Sequence, residues 1–283
     1  MKIMCDSTSD LTLEYLEEND IHLFSVLITL GNKEYRDIYD INTTQIYESI
    51  AQGIHPKTSQ VSVAEFVKTF SDLAKAKESG LYVCVSSKLS STFETATLAA
   101  KAIKEDYPNS DIRVIDTKTA SIGVGVIVKE VVKMKKAGKT IDEIEVRVKF
   151  MADNMVTLFT LSDLNYVAEG GRISKATASI GSVLQINPVM RLIDGEVAIT
   201  EKIRGKKRLK KRIIQIIEEE VDQIEKQVLG VGYSEKPEEG EALLQKIKEN
   251  FNPEEILYRP IGSSIASHAG LGLLGVSYLS TYE

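Results

Sequence analysis

The stretch Leu81-Tyr-Val-Cys-Val-Ser86, running through Ser87-Lys-Leu-Ser-Ser-Thr92 into Phe93-Glu-Thr-Ala-Thr-Leu-Ala-Ala-Lys-Ala-Ile-Lys-Glu105, decides the fold. Its first six residues form a short apolar run, its middle is hydroxyl-rich, and 91–105 carries a helical pattern. A further apolar run at Ile112–Asp116 then completes a strand–helix–strand unit, whose right-handed crossover implies parallel strands. The same alternation extends outward. Ile3–Cys5 and His22–Thr29 read as strands, and helical patterns lie near 43–52, 62–77 and 120–137. Gly31-Asn32 followed by Lys33–Arg36 reads as an added hairpin edge.

A helix at 140–153, opened by the capping box Thr140-x-x-Glu143, bridges to a second half of different character. Met155–Leu161, Val189–Ile193 and Val197–Lys202 read as strands, the last two joined across the hairpin signal Asp194-Gly195. A charged helix at about 206–226, the strand Val228–Tyr233, a helix at 237–249 and the strands Ile256–Pro260 and Leu273–Tyr278 follow. The expected protein is α/β with two lobes. Residues 1–150 form a mainly parallel sheet with helices on both faces, and 151–283 an α+β lobe with a mostly antiparallel sheet.

A chain of 283 residues, 43% hydrophobic and 27% charged, is soluble globular material with enough apolar content for a large core. Cys5 and Cys84 sit in apolar runs without Cys-x-x-Cys spacing, which favours buried reduced thiols and a cytoplasmic setting over disulfide, metal or redox roles. The N-terminus has no apolar run suited to a signal peptide, and no run approaches the roughly 20 residues of a membrane span. The net charge of −6 argues against a nucleic-acid-binding body. KIRGKKRLKKR (202–212) is a local exception with eight basic residues. Its lysines Lys206, Lys207, Lys210 and Lys211 oppose Leu209, Ile213, Ile216 and Ile217, so a solvated helix face is the first reading. Docking to an acidic partner or an anionic membrane surface comes second. Nucleic acid comes last, because no aromatic residue interleaves the run.

Hydroxyl-rich segments fall after strand ends, at Asp6–Asp10, Ser86–Thr92 and Asp116-Thr117, where open α/β sheets bind ligands. Thr58-Ser59-Gln60 precedes the capping box Ser62-x-x-Glu65, and Ser91-x-x-Glu94 is a second such box. Capping and anion binding coexist at a helix start, so a carboxylate or phosphate suits this crevice. Gly262-Ser-Ser-Ile-Ala-Ser-His268-Ala-Gly-Leu-Gly272 places one of three histidines in what reads as a loop of small residues. No carboxylate or second histidine stands at ligand spacing from His268, so contact with an anion is favoured over a metal. His22 and His55 read as structural or surface residues. Gly170-Gly171-Arg172 is a turn whose arginine suits either an anion or an ion pair between the lobes. Three motifs fail on context. Gly270–Gly275 has dinucleotide-site spacing but leads into a strand, Gly123-Val-Gly125 belongs to helix packing, and Ser90, His268 and Asp6 lack the elbow of a hydrolase triad.

Four segments together, KTSQVS (57–62), SSKLSST (86–92), AEGGRIS (168–174) and SSIASHAGLG (263–272), resemble the DegV family of bacterial fatty-acid-binding proteins in order and spacing over about 2–281. The resemblance implies a two-lobed carrier that buries one long-chain fatty acid in an apolar tunnel between the lobes and needs no cofactor. It would present the carboxyl group to a separate fatty acid kinase catalytic subunit, which makes an acyl phosphate for phospholipid metabolism. Catalysis then belongs to the partner, contact with a membrane surface is transient, and nucleic acid is not expected. Carried onto this chain, ligand contacts fall on Thr58, Ser59, Gln60, Ser90, Ser91, Thr92, His268 and Gly270, and phosphate or partner contacts on Arg172 and Arg204. Val61 stands where the family pattern has proline, Ser91 and Ser267 where it has glycine, and Leu271 where it has proline. These changes bear on loop stiffness and acyl preference rather than on the polar groups.

Enclosing an acyl chain gains on the order of 0.8 kcal/mol per buried CH₂, so a carrier competing with a membrane must cover most of the chain. Two other functions stay open on the sequence: a stand-alone enzyme on a small acid or ester using Ser90 and His268, and a regulator binding nucleic acid through 202–212.

Overall fold

Short apolar runs build the first sheet in the computed structural model, which describes residues 1–174 and 186–282. β1 (Lys2–Asp6), β2 (Ile21–Phe24), β6 (Gly80–Cys84) and β7 (Ile112–Asp116) lie in the order β2-β1-β6-β7, all parallel. Every residue of β6 is buried, as a central strand covered on both faces requires. Side-chain alternation assigns the faces. Ile3, Cys5, Leu81 and Val83 pack towards α5 (Ile122–Lys136) and α6 (Ile141–Asn154). Met4, Tyr82 and Cys84 pack towards α3 (Val63–Ala76) and α4 (Thr92–Asp106). Both cysteines are free and buried.

The second sheet has the order β10-β9-β8-β13-β11-β12. It comprises β8 (Met155–Thr160), β9 (Ile186–Ile193), β10 (Glu196–Arg204), β11 (Val228–Tyr233), β12 (Glu255–Pro260) and β13 (Leu274–Leu279), and only the β11–β12 pair is parallel. Leu209, Ile213, Ile216 and Ile217 of α8 (Lys206–Glu220) and Leu243 and Ile247 of α9 (Pro237–Asn250) cover its outer face. α5 is buried from Ile122 to Val128 because it lies between the two sheets. A Cβ at Gly125 would stand 2.6 Å from the Ser9 carbonyl oxygen, so glycine lets the helix approach the backbone after β1.

The structure departs from the sequence reading in places with local causes. The run His22–Thr29 is two strands, because the chain leaves the first sheet at Ser25. The Val26 N–H donates to Ser7 Oγ (3.1 Å) and Ser25 Oγ donates to the Asp37 carbonyl (2.9 Å), which turns the chain into β3 (Leu27–Leu30). β3 pairs with β4 (Lys33–Arg36) across Gly31-Asn32 and with β5 (Lys57–Ser59), a short strand to which the sequence reading assigned no element. α8 stops at Glu220 rather than near 226, where Gln227 Nε2 bonds the Asp222 and Leu279 carbonyls. The small-residue stretch at 262–272 is largely α10 (Ser263–Ala269), with the Ser267 hydroxyl bonded to the Ser263 carbonyl (2.8 Å). The Thr140–Glu143 capping box is present. Ser62 caps Glu65 on one side only, and Ser91 caps nothing.

Asp10 joins the lobes. Its carboxylate accepts from the Gly262 N–H (2.9 Å) ahead of α10 and from the Ser121 hydroxyl ahead of α5. Burial raises the Asp10 pKa to about 7, so the neutral acid is favoured in the folded state. Because the native state then binds more protons than the unfolded chain, stability should fall as pH rises from about 4 to about 7. Asp10→Asn should flatten that decline, gaining on wild type by on the order of 2–4 kcal/mol across the window. Urea midpoints of both proteins at several pH values test this, and parallel profiles would refute the assignment.

Candidate functional site

α10 supplies one wall of an inter-sheet cavity of about 480 Å³. Ile261, Ser264, Ile265 and His268 face it together, the spacing of one helix side. Alternation along two adjacent strands supplies another wall: Thr157, Phe159 and Leu161 in and after β8, and Leu273, Gly275 and Ser277 before and along β13. Val26, Val85 and Ile122 come from the first lobe, and Leu192 and Val197 from the β9–β10 hairpin. Apart from the His268 imidazole, Phe159 is the one aromatic side chain in the described lining, so the apolar walls are mostly aliphatic.

The polar groups gather where α10, β5, the start of α4 and the turn after α7 (Leu164–Glu169) meet. Arg172 Nη1 lies 2.9 Å from His268 Nδ1, and His268 Nε2 lies 2.6 Å from Thr58 Oγ1. A guanidinium only donates, so Nδ1 is the acceptor and the ring proton sits on Nε2. His268 therefore donates to Thr58, whose own hydroxyl proton is left for the cavity. Burial and the Arg172 charge push the His268 pKa down to about 4, which keeps the ring neutral near pH 7. Acidification through about 4 would place a proton on Nδ1 against Arg172 and undo the arrangement.

Ser90 supplies a second donor by the same logic. Its Oγ accepts from the Thr92 N–H (3.2 Å) and lies 2.8 Å from Thr92 Oγ1. Thr92 is fully buried and does not line the cavity, so a proton kept on its own hydroxyl would have no acceptor. Thr92 donates, and the Ser90 proton is free. Gln60 Oε1 accepts from Ser91 Oγ and from Thr95 Oγ1 (3.1 Å), tying β5 to the first turn of α4. Arg172 is fixed by the Leu89 carbonyl (3.2 and 3.1 Å) and the Gly170 carbonyl (2.7 Å), and has no carboxylate partner among the described residues. Two free hydroxyl protons beside a cation without a carboxylate partner among the described residues make an arrangement that can receive an anion at the end of an aliphatic cavity.

Thr58, Ser59, Gln60, Ser90, Ser91, His268 and Arg172 all line this cavity. Thr92 and Gly270 stand behind it. Thr92 positions Ser90, while Gly270 terminates α10 with φ 73° against the Tyr166 ring. Arg204, the exposed last residue of β10, is outside the lining, so of the two arginines only Arg172 could reach a ligand's phosphate. Arg172 does connect the lobes, through hydrogen bonds rather than the ion pair weighed from sequence. Thr157, Ser264, Ser277 and Lys88 also line the cavity, and of these Lys88 and Ser264 lay within motifs while Thr157 and Ser277 did not. Ser90, His268 and Asp6 bond to Thr92, to Thr58 and Arg172, and to Thr8 and Tyr82, so no nucleophile–base–acid relay links them. Among the described residues no group of three or more His, Cys, Asp or Glu could hold a metal. No helix there is long and apolar enough to cross a membrane.

The DegV family model, described as that of an uncharacterised protein, matches residues 1–281. A DegV domain-containing protein of Clostridium perfringens is 35% identical over 280 residues, covering 98% of this chain and 96% of its own. A Thermus thermophilus DegV family protein, solved in a study of its fatty acid binding, superimposes with a TM-score of 0.89 at 27% identity, covering 98% of this chain and 99% of that one. A stearic acid-binding protein from Eubacterium ventriosum gives 0.88 at 25% identity, covering 97% and 96%. Solved relatives thus carry fatty acids as ligands, in the same two-sheet architecture with an N-terminal parallel and a mainly antiparallel C-terminal sheet. With the match running from the first residue to position 281, the chain belongs to the DegV family.

Proposed function

We propose that this protein is a cytoplasmic carrier that encloses one long-chain fatty acid and presents its carboxyl group to a fatty acid kinase catalytic subunit, which forms the acyl phosphate. The observation that carries the reading is the pairing of an aliphatic cavity with the Thr58 and Ser90 donors beside Arg172 at one end. Residues 1–150 and 151–283 act as two halves of one unit, closing on the acyl chain from either side. Ser59 and Ser91 stand at the exposed rim, where the kinase would reach the carboxyl group. Arg172 would meet the negative charge of acid or acyl phosphate. Two buried, unpaired thiols support the cytoplasmic placement.

A helix face in the basic run serves the partner. Lys206 and Lys210 pair with Glu239 (3.1 and 2.5 Å), and Arg212 with Glu201 and Glu219 (2.8 and 3.0 Å). Lys207, Arg208 and Lys211 remain exposed. They are the docking candidates, with Arg204 at the neighbouring end of β10.

Protein purified from bacteria should carry an acyl ligand in about one-to-one ratio, since a cavity of this kind encloses most of its ligand. Denaturing mass spectrometry measures it. A ligand-free protein that also ignores added long-chain fatty acids refutes the carrier.

Thr58→Val and Ser90→Ala should each weaken fatty acid binding by about tenfold or more, because a hydrogen bond to a charged group is worth roughly 1.5–3 kcal/mol. His268→Ala should lower kinase-coupled acyl phosphate formation more than it lowers the melting temperature. Unfolding without selective loss of coupling would make the histidine structural.

Changing Lys207, Arg208 and Lys211 together to Glu should leave the bound acyl chain in place and slow acyl phosphate formation, most at low salt. Unchanged coupling at every ionic strength would return this helix to a merely solvated face.

A further inference from the structure

The cavity has a second polar place, far from the first. Thr119 Oγ1 lies 2.7 Å from Thr157 Oγ1, which lies 3.1 Å from Ser277 Oγ. Three hydroxyls carry three protons but share two hydrogen bonds, and none of the three hydroxyls has another partner among the described residues. One proton is therefore left over. Thr119 is 1% exposed and outside the lining, so a spare proton there would stay buried without an acceptor. Thr157 and Ser277 line the cavity, so Thr119 donates to Thr157 and the spare proton belongs to one of the two cavity hydroxyls.

The cluster is built into the fold. Thr157 and Ser277 are directly opposite on β8 and β13, which fixes their pairing by register. Gly123, in the first turn of α5, leaves room for it, since a Cβ there would stand 2.5 Å from Thr119 Oγ1 and 2.8 Å from Thr157 Oγ1. Leu161, at the other end of the same strand face, packs with Val167, Ile173 and Ala269 beside Arg172 and His268. Leu161 lies four positions beyond Thr157, roughly 13 Å at strand spacing. The hydroxyl pair thus sits well down the acyl chain, among aliphatic side chains.

Resting on the carrier reading, we propose that Thr157 and Ser277 form a subsite for an oxygen substituent on the acyl chain, a hydroxyl or keto group remote from the carboxyl. An oxygen there accepts the spare proton, which a plain alkyl chain leaves unpaired. The test incubates the protein with equimolar stearate and each member of a positional series of hydroxystearates, and reads the retained ratio by mass spectrometry. At least one positional isomer should be retained over stearate by about fivefold, the worth of one neutral hydrogen bond. Thr157→Val and Ser277→Ala should each bring that ratio near unity. Equal retention of every isomer and stearate by wild type, or a preference that survives both substitutions, overturns the subsite alone. Retention of no acyl chain at all overturns the carrier reading, and the subsite with it.

Discussion

An arginine guanidinium gives hydrogen bonds and cannot receive them, and the polar end of the cavity takes its order from that one-sidedness. Arg172 holds the Leu89 carbonyl of the first lobe, the Gly170 carbonyl of its own turn and Nδ1 of His268 on α10. The last contact fixes the imidazole tautomer and so decides which way Thr58, on β5, can donate. Four separate chain segments are thereby oriented by one cation. Burial, reinforced by the same charge, depresses the His268 pKa, which keeps the ring from competing with Arg172 as a second cation. Under the proposed carrier function, anion affinity would rest on hydroxyl donors near a fixed charge, an arrangement that stays constant through the physiological pH range.

α10 must sit accurately for this to work, and its seat is made of buried carboxyl groups. Asp10 accepts from the Gly262 N–H, and Asp37, 1% exposed, lies against Ser7, Ser263 and the Ser264 backbone without a hydrogen bond of good geometry at either oxygen. Burial raises the Asp37 pKa to about 6, and after burial the nearby Asp37 charge adds to the rise at Asp10. Two acids that favour the neutral form pack more readily beside a short helix than two carboxylates would. The helix bearing His268 is therefore seated partly by desolvated acids, while its other face lines the cavity.

The parallel sheet was legible because βαβ periodicity is local. Ile3–Cys5, Leu81–Ser86 and Ile112–Asp116 each announce a strand within a few residues, and the Asp194-Gly195 turn announces the β9–β10 hairpin. What escaped depends on contacts distant in sequence. Nothing near Ser25 signals that Ser7 and Asp37 will divert the chain there, and nothing in Ser263–Ala269, rich in small residues, outweighs its likeness to a loop until Ile261 and Ile265 are seen to pack. The site motifs were legible as a set through their resemblance to DegV proteins, and the chain folds seven of the named residues onto one cavity. Thr92 and Gly270 belong to those motifs but act on their neighbours, a distinction that needs burial and φ. Thr157 and Ser277 carry no motif, because a hydroxyl inside a strand looks like any other β-former until register pairs it across the sheet.

The departures from the DegV pattern acquire physical meaning in the same way. Where the pattern has proline, Val61 is fully buried and packs with Phe66 and Phe70, so hydrophobic anchoring holds the segment that a ring would have stiffened. Where it has glycine, Ser91 adds a hydroxyl that bonds Gln60, bracing β5 against α4 with Thr95 as a second strut. Ser267 bonds back to Ser263 within α10, and its carbonyl receives the Tyr166 hydroxyl (3.3 Å) from α7. Val61 thus replaces a lost ring constraint with apolar packing, while Ser91 and Ser267 restrict backbone that glycine would leave free and add side-chain hydrogen bonds, that of Ser91 joining two segments that bear the site. Such contacts act only in the folded state, whereas proline also restricts the unfolded chain. The site's geometry here is consequently tied to the integrity of the inter-segment bonds around Gln60 and Tyr166 more than to the intrinsic stiffness of its loops.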